Sequence, residues 1–218
     1  MKERIRFIAL TLTVTLCIAG CTKPRQELGA GAHHGVHEHP GANAQNAETD
    51  ECTVVVSAAD SMKYVSRTLS VGGDVLHPLV LTVDSLRSMQ VHTISDFDVV
   101  CSTGATVNRH TSSKGVLLKE ILEKAVIRQS NHKDRNFYIV ARATDNYKAT
   151  FSWAELFNSV TGDSVYVLFE ENGHPIQTQG SMVLISTSDI KSGPRHVIWL
   201  QSIDVYKVPP RPVRVEGA

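Results

Sequence analysis

The sequence predicts an α+β fold in which β-strands predominate and only a few short helices occur. After residue 51 the chain consists of strand-length runs rich in β-branched and aromatic residues: CTVVVS, YVSRTLSV, FDVVCS, NFYIVARA, SVYVLFE, MVLIST and HVIWLQSIDVYKV. Helical patterns interrupt these runs at only two or three places and do not alternate with every strand. This order fits β-rich mixed sheets better than a parallel α/β sheet.

Two helices are predicted in the first half of this region. Residues 82–89 begin with Thr82 as a candidate N-cap and carry Asp84 in the first turn. In the segment GVLLKEILEKAVI, residues 115–127, the apolar side chains recur at helical spacing and the charged ones lie largely outside their face. We expect that face to be buried, and it consists of Leu117, Leu118, Ile121, Leu122 and Ala125.

A third short helix and a tight turn follow. SWAELFNSV, residues 152–160, begins with Ser152 and Glu155 in a capping-box arrangement. In the sequence ENGHP, Asn172 and Gly173 tolerate the positive φ angles of a hairpin turn between two strands. The final residues, PPRPVRVEGA, cannot pair regularly because of their prolines. We therefore place the core domain at residues 52–208 and an extended tail at 209–218.

The N-terminal residues, MKERIRFIALTLTVTLCIAGC, have the layout of a secretory signal. A basic start precedes an apolar stretch that is too short for a retained membrane-spanning helix, and small residues stand just before Cys21. The ending IAGC resembles the bacterial lipobox, which implies that residues 1–20 are removed and that Cys21 carries a lipid. We expect a protein of the bacterial cell envelope that is lipid-anchored to a membrane. The alternative is an ordinary cleavable signal with an incidental cysteine.

Residues 21–51 have the composition of a flexible tether, since they contain almost no large apolar side chains. This tether includes HHGVHEHP, whose imidazoles suit zinc, copper or nickel. The candidate ligands for weak metal capture are His33, His34, His37 and His39. A soluble spacer that happens to be rich in histidine is the alternative interpretation.

Charge and cysteine content restrict the function further. The chain has 22 basic and 22 acidic residues, which gives no reason to expect nucleic acid as a partner. With Cys17 removed and Cys21 acylated, Cys52 and Cys101 remain, and outside the cytoplasm such a pair can be oxidised. From the residues alone, Cys101 can be a metal ligand, half of a disulfide with Cys52, or a small buried thiol.

The order of several short motifs resembles the oxidoreductase molybdopterin-binding domain family, which has the sulfite-oxidase-like fold. The motifs are LSVGGDVLHPLVLTVDSLRSM, FDVVCSTG, KGVLLKEILEKA, YVLFEENGHPIQTQG and GPRHVIWLQSIDVYKV. Together they extend over roughly residues 66–207. Three positions depart from the family pattern: Lys114 stands for a tryptophan, Leu117 for a proline, and Ile198 for a lysine that helps to hold the pterin phosphate.

The resemblance implies a molybdenum–molybdopterin cofactor with Cys101 as the thiolate ligand of the metal. It also implies Arg109, His110, Arg195 and His196 as candidate anion-binding groups of that cofactor. Oxygen-atom transfer would then occur at the metal, with an envelope redox protein as partner, while the protein supplies position and electrostatics.

Three functional hypotheses follow. The chain is an envelope molybdopterin-dependent oxidoreductase, a non-catalytic binding or scaffold lipoprotein that keeps the fold without cofactor, or a metal-handling lipoprotein that acts through its histidine-rich tether. Stoichiometric molybdenum distinguishes the first from the second. Transition-metal binding that is lost when residues 33–39 are deleted identifies the third.

Overall fold

The computed structural model describes residues 57–211. The chain divides into two units, Met1–Ala47 and Glu48–Ala218, and all described residues belong to the second. The predicted signal, the lipidation site at Cys21, the histidine-rich tether and most of the run CTVVVS lie outside the described residues. No helix within residues 57–211 has the length and apolar character needed to cross a membrane.

The described residues form ten strands and four α-helices, which confirms the α+β expectation. The strands are β1 (Leu69–Gly73), β2 (Leu79–Leu81), β3 (His92–Val100), β4 (Thr106–Leu117), β5 (Phe137–Ala143), β6 (Lys148–Ser152), β7 (Val165–Glu171), β8 (His174–Pro175), β9 (Val183–Ser186) and β10 (Leu200–Lys207). The helices are α1 (Ala58–Ser61), α2 (Val83–Arg87), α3 (Leu118–Ala125) and α4 (Trp153–Phe157).

The strands make two five-stranded sheets. The first sheet has the order β2-β1-β10-β5-β6, in which β1 and β10 pair in parallel and the other neighbours are antiparallel. The second sheet has the order β3-β4-β7-β8, and β9 pairs with β7 as well. All its pairs are antiparallel. The final strand of the domain therefore lies in the middle of the first sheet.

The main hydrophobic core contains side chains of both sheets and of α2, α3 and α4. Alternate residues of β7 and β9 enter this core, because successive side chains of a strand point to opposite faces. The other face of the second sheet carries a smaller cluster, which consists of Phe97, Val99, Leu168, Val183 and Ile185, with Ile94, Val107, Tyr166, Ile176 and Ile198 packed against it. Phe97 of this smaller cluster stacks on His110, one of the predicted site residues.

Local sequence signals at two helices are confirmed. Thr82 caps α2, and its hydroxyl accepts a hydrogen bond from the backbone N–H of Ser85 at 3.2 Å. At α4, Ser152 and Glu155 form the complete capping box. The turn at Asn172 and Gly173 joins β7 to β8, and both residues have positive φ angles.

The long helix predicted from residue 115 begins later, at Leu118. Residues 115–117 instead end β4, where they pair with β7. A side chain on Gly115 would bring a Cβ within 2.6 Å of the carbonyl oxygen of Val167, so the two strands approach too closely for any residue but glycine. The expected buried face is otherwise present, with Leu118, Ile121, Leu122 and Ala125 fully buried.

The polar residues that follow Cys101 suggest a loop when the sequence is read alone, but they form a turn and then a strand. Residues 101–105 make a tight turn, and from Thr106 the chain forms β4, which pairs with β3 on one side and with β7 on the other. Backbone hydrogen bonds to β3 and β7 stabilise this strand, and it therefore forms although few of its side chains are apolar. Other boundaries also differ: the runs YVSRTLSV and HVIWLQSIDVYKV become strands only from Leu69 and Leu200.

Candidate functional site

Cys101 directly follows β3 and begins the turn to β4. Its backbone N–H donates to the carbonyl oxygen of Ala105 at 2.8 Å, and its own carbonyl accepts from Gly104 at 2.9 Å. The residue is 4% exposed. The Cys101 sulfur is in a disulfide bond, whose partner lies outside the described residues.

A second segment, residues 191–195, packs directly on this turn. The Ser192 hydroxyl accepts from the backbone N–H of Val100 at 3.0 Å and donates to the carbonyl oxygen of Asp98 at 2.9 Å. The Lys191 ammonium donates to the carbonyl oxygen of Ser102. A Cβ on Gly193 would lie 2.9 Å from the carbonyl oxygen of Val100, so this glycine allows the two backbones to meet. The chain itself therefore covers one side of Cys101.

His110 lies on β4 with its ring facing inward, directly opposite Phe97. The two rings are stacked, with centroids 4.6 Å apart and planes 8° apart. The Nε2 atom of His110 lies 3.1 Å from Nδ2 of Asn108. Its Nδ1 atom lies 2.9 Å from Oε1 of Glu171, within ion-pair distance but off the direction of a hydrogen bond. Burial lowers the pKa of His110, and the nearby Glu171 carboxylate opposes part of that effect.

His196 approaches His110 from the other segment, and the two form a histidine pair with centroids 6.3 Å apart in an edge-on arrangement. His196 is partly exposed as a residue, but its Nε2 atom is buried and has no hydrogen-bond partner among residues 57–211. Burial lowers the pKa of His196 to about 4, and the neighbouring His110 contributes in the same direction. Burial therefore disfavours the charged form of both imidazoles.

The two candidate arginines are paired with carboxylates. Arg109 points to the opposite side of β4 from His110, is 74% exposed, and donates from Nε to Asp98 at 2.8 Å. Arg195 donates to both oxygens of Asp189, at 2.5 and 2.6 Å, and to Glu155 at 3.0 Å. Its guanidinium also lies over the ring of Phe151. The hydrogen bond to the respective aspartate raises the pKa of each arginine.

The structure thus brings together only some of the predicted site residues. His110 and His196 are neighbours, whereas Arg109 lies on the other side of its strand. Ile198, at the position of the family's phosphate-binding lysine, packs against the smaller apolar cluster. Within residues 57–211 no group of three or more His, Cys, Asp or Glu side chains is arranged to hold a metal ion. The histidines of the tether lie outside the described residues.

Three residues at the site were missed from the sequence: Asn108, Glu171 and Ser192. Asn108 and His110 are two positions apart, which on a strand places both side chains on one face. Recognising β4 would therefore have indicated Asn108. Glu171 and Ser192 lie 61 and 82 residues beyond His110 in the sequence, and no local pattern indicates their contacts.

An open groove of about 500 Å³ lies beside Glu171. It is lined by the turn between β7 and β8 and by the loop after β8. Its lining combines amide, hydroxyl and imidazole groups with two apolar residues, and consists of Glu171, Asn172, His174, Pro175, Ile176, Gln177, Thr178 and Gln179. Thr111 donates to the Asn172 side-chain oxygen at 2.6 Å and fixes the turn. The described lining contains a carboxylate but no lysine or arginine, which disfavours anionic ligands.

Comparison with known proteins adds three findings. The model of the family described as the oxidoreductase molybdopterin binding domain matches residues 56–212. Among solved structures, the sulfane dehydrogenase SoxCD from Paracoccus pantotrophus is similar, with a TM-score of 0.48 and 16% sequence identity. That match covers 67% of this chain and 39% of the SoxCD chain, so this chain spans about two fifths of that relative's length. No curated protein sequence matches the chain.

Proposed function

This chain belongs to the oxidoreductase molybdopterin-binding domain family, and from that membership we propose that it is a lipid-anchored envelope protein whose domain acts as a binding module without a molybdenum–pterin centre. The family accounts for the sulfite-oxidase-like arrangement of mixed sheets with few helices. The lipid anchor rests on the resemblance of IAGC to the lipobox. The residues at the site support the loss of the cofactor.

One observation carries the proposal: none of the four candidate anion-binding groups offers an unpaired positive charge. Arg109 and Arg195 are held by carboxylates, and burial disfavours the charged form of His110 and His196. A pterin phosphate is a strong anion, and its burial requires cations or several hydrogen-bond donors to replace its hydration. The residues present do not fit this group.

Two further features support the same conclusion. The sulfur of Cys101 is in a disulfide, whereas only a thiolate can ligate a metal. Ile198 belongs to an apolar environment and has no donor for a phosphate. The thiolate and the phosphate contact that the resemblance implies are therefore both lacking in this arrangement.

The groove beside Glu171 is the surface that we assign to ligand binding. Its amides and hydroxyl can donate and accept hydrogen bonds, and Pro175 and Ile176 supply apolar contact. Because Glu171 is the charged carboxylate of the described lining, we expect a neutral or cationic ligand.

Elemental analysis of the protein purified from its native host tests this function. We expect a folded protein that contains no stoichiometric molybdenum. Near-equimolar molybdenum that is lost in the Cys101→Ser variant would contradict the proposal and establish a molybdopterin-dependent oxidoreductase. Zinc, copper and nickel are measured in the same sample and in a variant that lacks residues 33–39. Metal that is lost only with these residues would indicate the metal-handling role of the tether.

A further inference from the structure

We propose that the groove beside Glu171 binds an organic cation, whose ammonium or guanidinium group pairs with the Glu171 carboxylate, and that His110 releases this cation when its imidazole takes up a proton. This role rests on the proposed function, in which the groove is the ligand-binding surface. The class of ligand follows from the charge of the lining, and the regulation follows from the position of His110.

Glu171 is a carboxylate without a cationic side-chain partner of its own. Its side chain is 27% exposed, and within residues 57–211 no lysine or arginine lies at ion-pair distance from it. The adjacent carboxylate, Glu170, contacts Lys114 at 2.6 Å and Arg87 at 3.8 Å. A carboxylate that has lost part of its hydration gains from a charged hydrogen-bond donor. Because Glu171 lines the groove, a ligand there can supply that donor.

The rest of the lining suits an organic molecule better than a bare metal ion. It carries three amides and a hydroxyl that can hydrogen-bond to polar groups of a ligand, on Asn172, Gln177, Thr178 and Gln179. Pro175 and Ile176 offer contact to methylene groups. The volume of the groove is in the range of pockets for small organic ligands. Within the described part of the chain, no cluster of three or more metal-ligating side chains is present.

Both segments that line the groove are fixed to the domain. In the loop after β8, the indole Nε1 of Trp199 donates to the carbonyl oxygen of Thr178 at 2.8 Å, and the Trp199 backbone N–H donates to that of Gln179 at 2.7 Å. In the turn before β8, the backbone N–H of Asn172 donates to the carbonyl oxygen of Ser112 at 2.7 Å. Binding therefore does not have to order these segments first.

His110 contacts the same carboxylate from inside the domain. The residue is 2% exposed, and its Nδ1 atom lies 2.9 Å from Oε1 of Glu171 without an aligned hydrogen bond. The side chains that face its ring among the described residues are Glu171 from β7, Phe97 from β3, Asn108 from β4 and His196. Of these, Glu171 alone carries a negative charge. An imidazolium at His110 therefore depends on the carboxylate that the ligand would use.

Protonation of His110 and binding of a cation consequently compete. While the imidazole is neutral, the carboxylate can pair with the ligand. Burial lowers the pKa of His110, so its imidazolium forms only below the ordinary value of about 6.5. The two events are linked, and a bound cation in turn disfavours the proton on His110. His174 is opposite Glu171 across β7 and β8 and is exposed, so the test has to separate its titration from that of His110.

Calorimetric titration of the full mature protein tests the class of ligand. The cationic probes are N-acetyl-L-arginine amide and N-acetyl-L-lysine amide, and N-acetyl-L-citrulline amide is the neutral analogue of the first. At pH 7.5 we expect the citrulline probe to bind about tenfold more weakly than the arginine probe, and Glu171→Gln to lose about the same factor. Glu123→Gln, at an exposed position of α3 outside the lining, is the matched control and should bind like the wild-type protein. Equal binding of the arginine and citrulline probes, or no binding of either cation, would overturn the proposal.

The same titration at pH 5.5 tests the role of His110. The affinity for the arginine probe should fall severalfold in the wild-type protein and in His174→Gln, and much less in His110→Gln. Because His110 is buried, its imidazole resonances in the wild-type protein provide a test that does not depend on a variant: the bound probe should lower the pKa of His110. An affinity that is equal at both pH values, or a fall that disappears in His174→Gln, would contradict the competition.

Molybdenum measured in the same sample separates this proposal from the proposed function. Absent probe binding in a protein without molybdenum contradicts only the organic cation. Stoichiometric molybdenum contradicts the proposed function itself, whatever the probes do.

Discussion

The histidine pair shows how burial lowers the pKa of single residues in this domain. His196 has a buried Nε2 atom without a partner in residues 57–211, and its ring stands edge-on to that of His110. The charged groups nearest to the pair come from neighbouring elements, with Glu171 on β7 beside His110. A proton added to His196 would be poorly solvated and close to a second imidazole, so the folded protein disfavours it.

We predict that this effect destabilises the domain at mildly acidic pH. Well above pH 6.5, the ordinary pKa of histidine, His196 is neutral in both the folded and the unfolded chain, and it has no effect on stability. As the pH falls towards 4, the unfolded chain binds a proton that the folded chain does not, so the free energy of unfolding decreases. The pKa of about 4 corresponds to a loss of at most about 3 kcal/mol.

Urea denaturation between pH 4 and 7.5 measures this dependence. The His196→Leu variant should show a flatter pH profile than the wild-type protein, and His110 accounts for part of the slope that remains. His132→Gln, at an exposed position, is the matched control and should keep the wild-type profile. An unchanged slope in His196→Leu would show that the acid sensitivity has another origin.

Among the elements, the short helix α4 connects to the segment that covers Cys101. Its capping-box residue Glu155 uses one oxygen to accept from the backbone N–H of Ser152 at 2.7 Å and the other to accept from Arg195 at 3.0 Å. Arg195 belongs to the segment that ends beside the histidine pair. The start of α4 and the segment over Cys101 are therefore linked through a single carboxylate.

We predict that Ser152→Ala lowers the free energy of unfolding by about 1 kcal/mol, because it leaves the backbone N–H of Glu155 without its cap. Ser152→Thr keeps a capping hydroxyl and should lose much less. Chemical denaturation of the two variants beside the wild-type protein gives the comparison. Equal losses in both would mean that the position responds to side-chain size and not to the hydrogen bond.

Helices whose capping residues lie close by in the sequence could be predicted, whereas a strand that is held by neighbouring strands could not. The caps at Thr82 and Ser152 depend on residues three positions away, so the sequence indicates α2 and α4 directly. Strand β4 is polar along most of its length and is held by two neighbouring strands, which no local pattern indicates.

The same reasoning applies to the candidate site. Cys101 and the histidines could be selected from their motifs. The contact of Arg195 with Glu155 could not, because the two residues lie 40 positions apart and meet only after folding. The sequence predicts which side chains are present at the site, whereas tertiary contacts decide their charge.

For the whole molecule, the membrane anchor remains a prediction from the sequence, because Cys21 lies outside the residues that the structure describes.

We predict that Cys21→Ser releases the protein from the membrane fraction, because the variant lacks the thiol that would carry the lipid. Fractionation of cells that express the wild-type and variant proteins, followed by immunoblotting, measures the change. Cys52→Ser is the control and should remain with the membranes. Retention of Cys21→Ser in the membrane fraction would contradict lipid anchoring at this cysteine.

The parallel pairing of β1 with β10 has a consequence for folding during synthesis of the chain. The first strand of the domain has β10 as a neighbour, and β10 also separates it from β5. While the chain emerges vectorially from the ribosome, β1 and β5 therefore keep open edges until residue 207 has been synthesised. A nascent chain shorter than this cannot complete the first sheet, and such late completion would suit the predicted export of the chain before it folds.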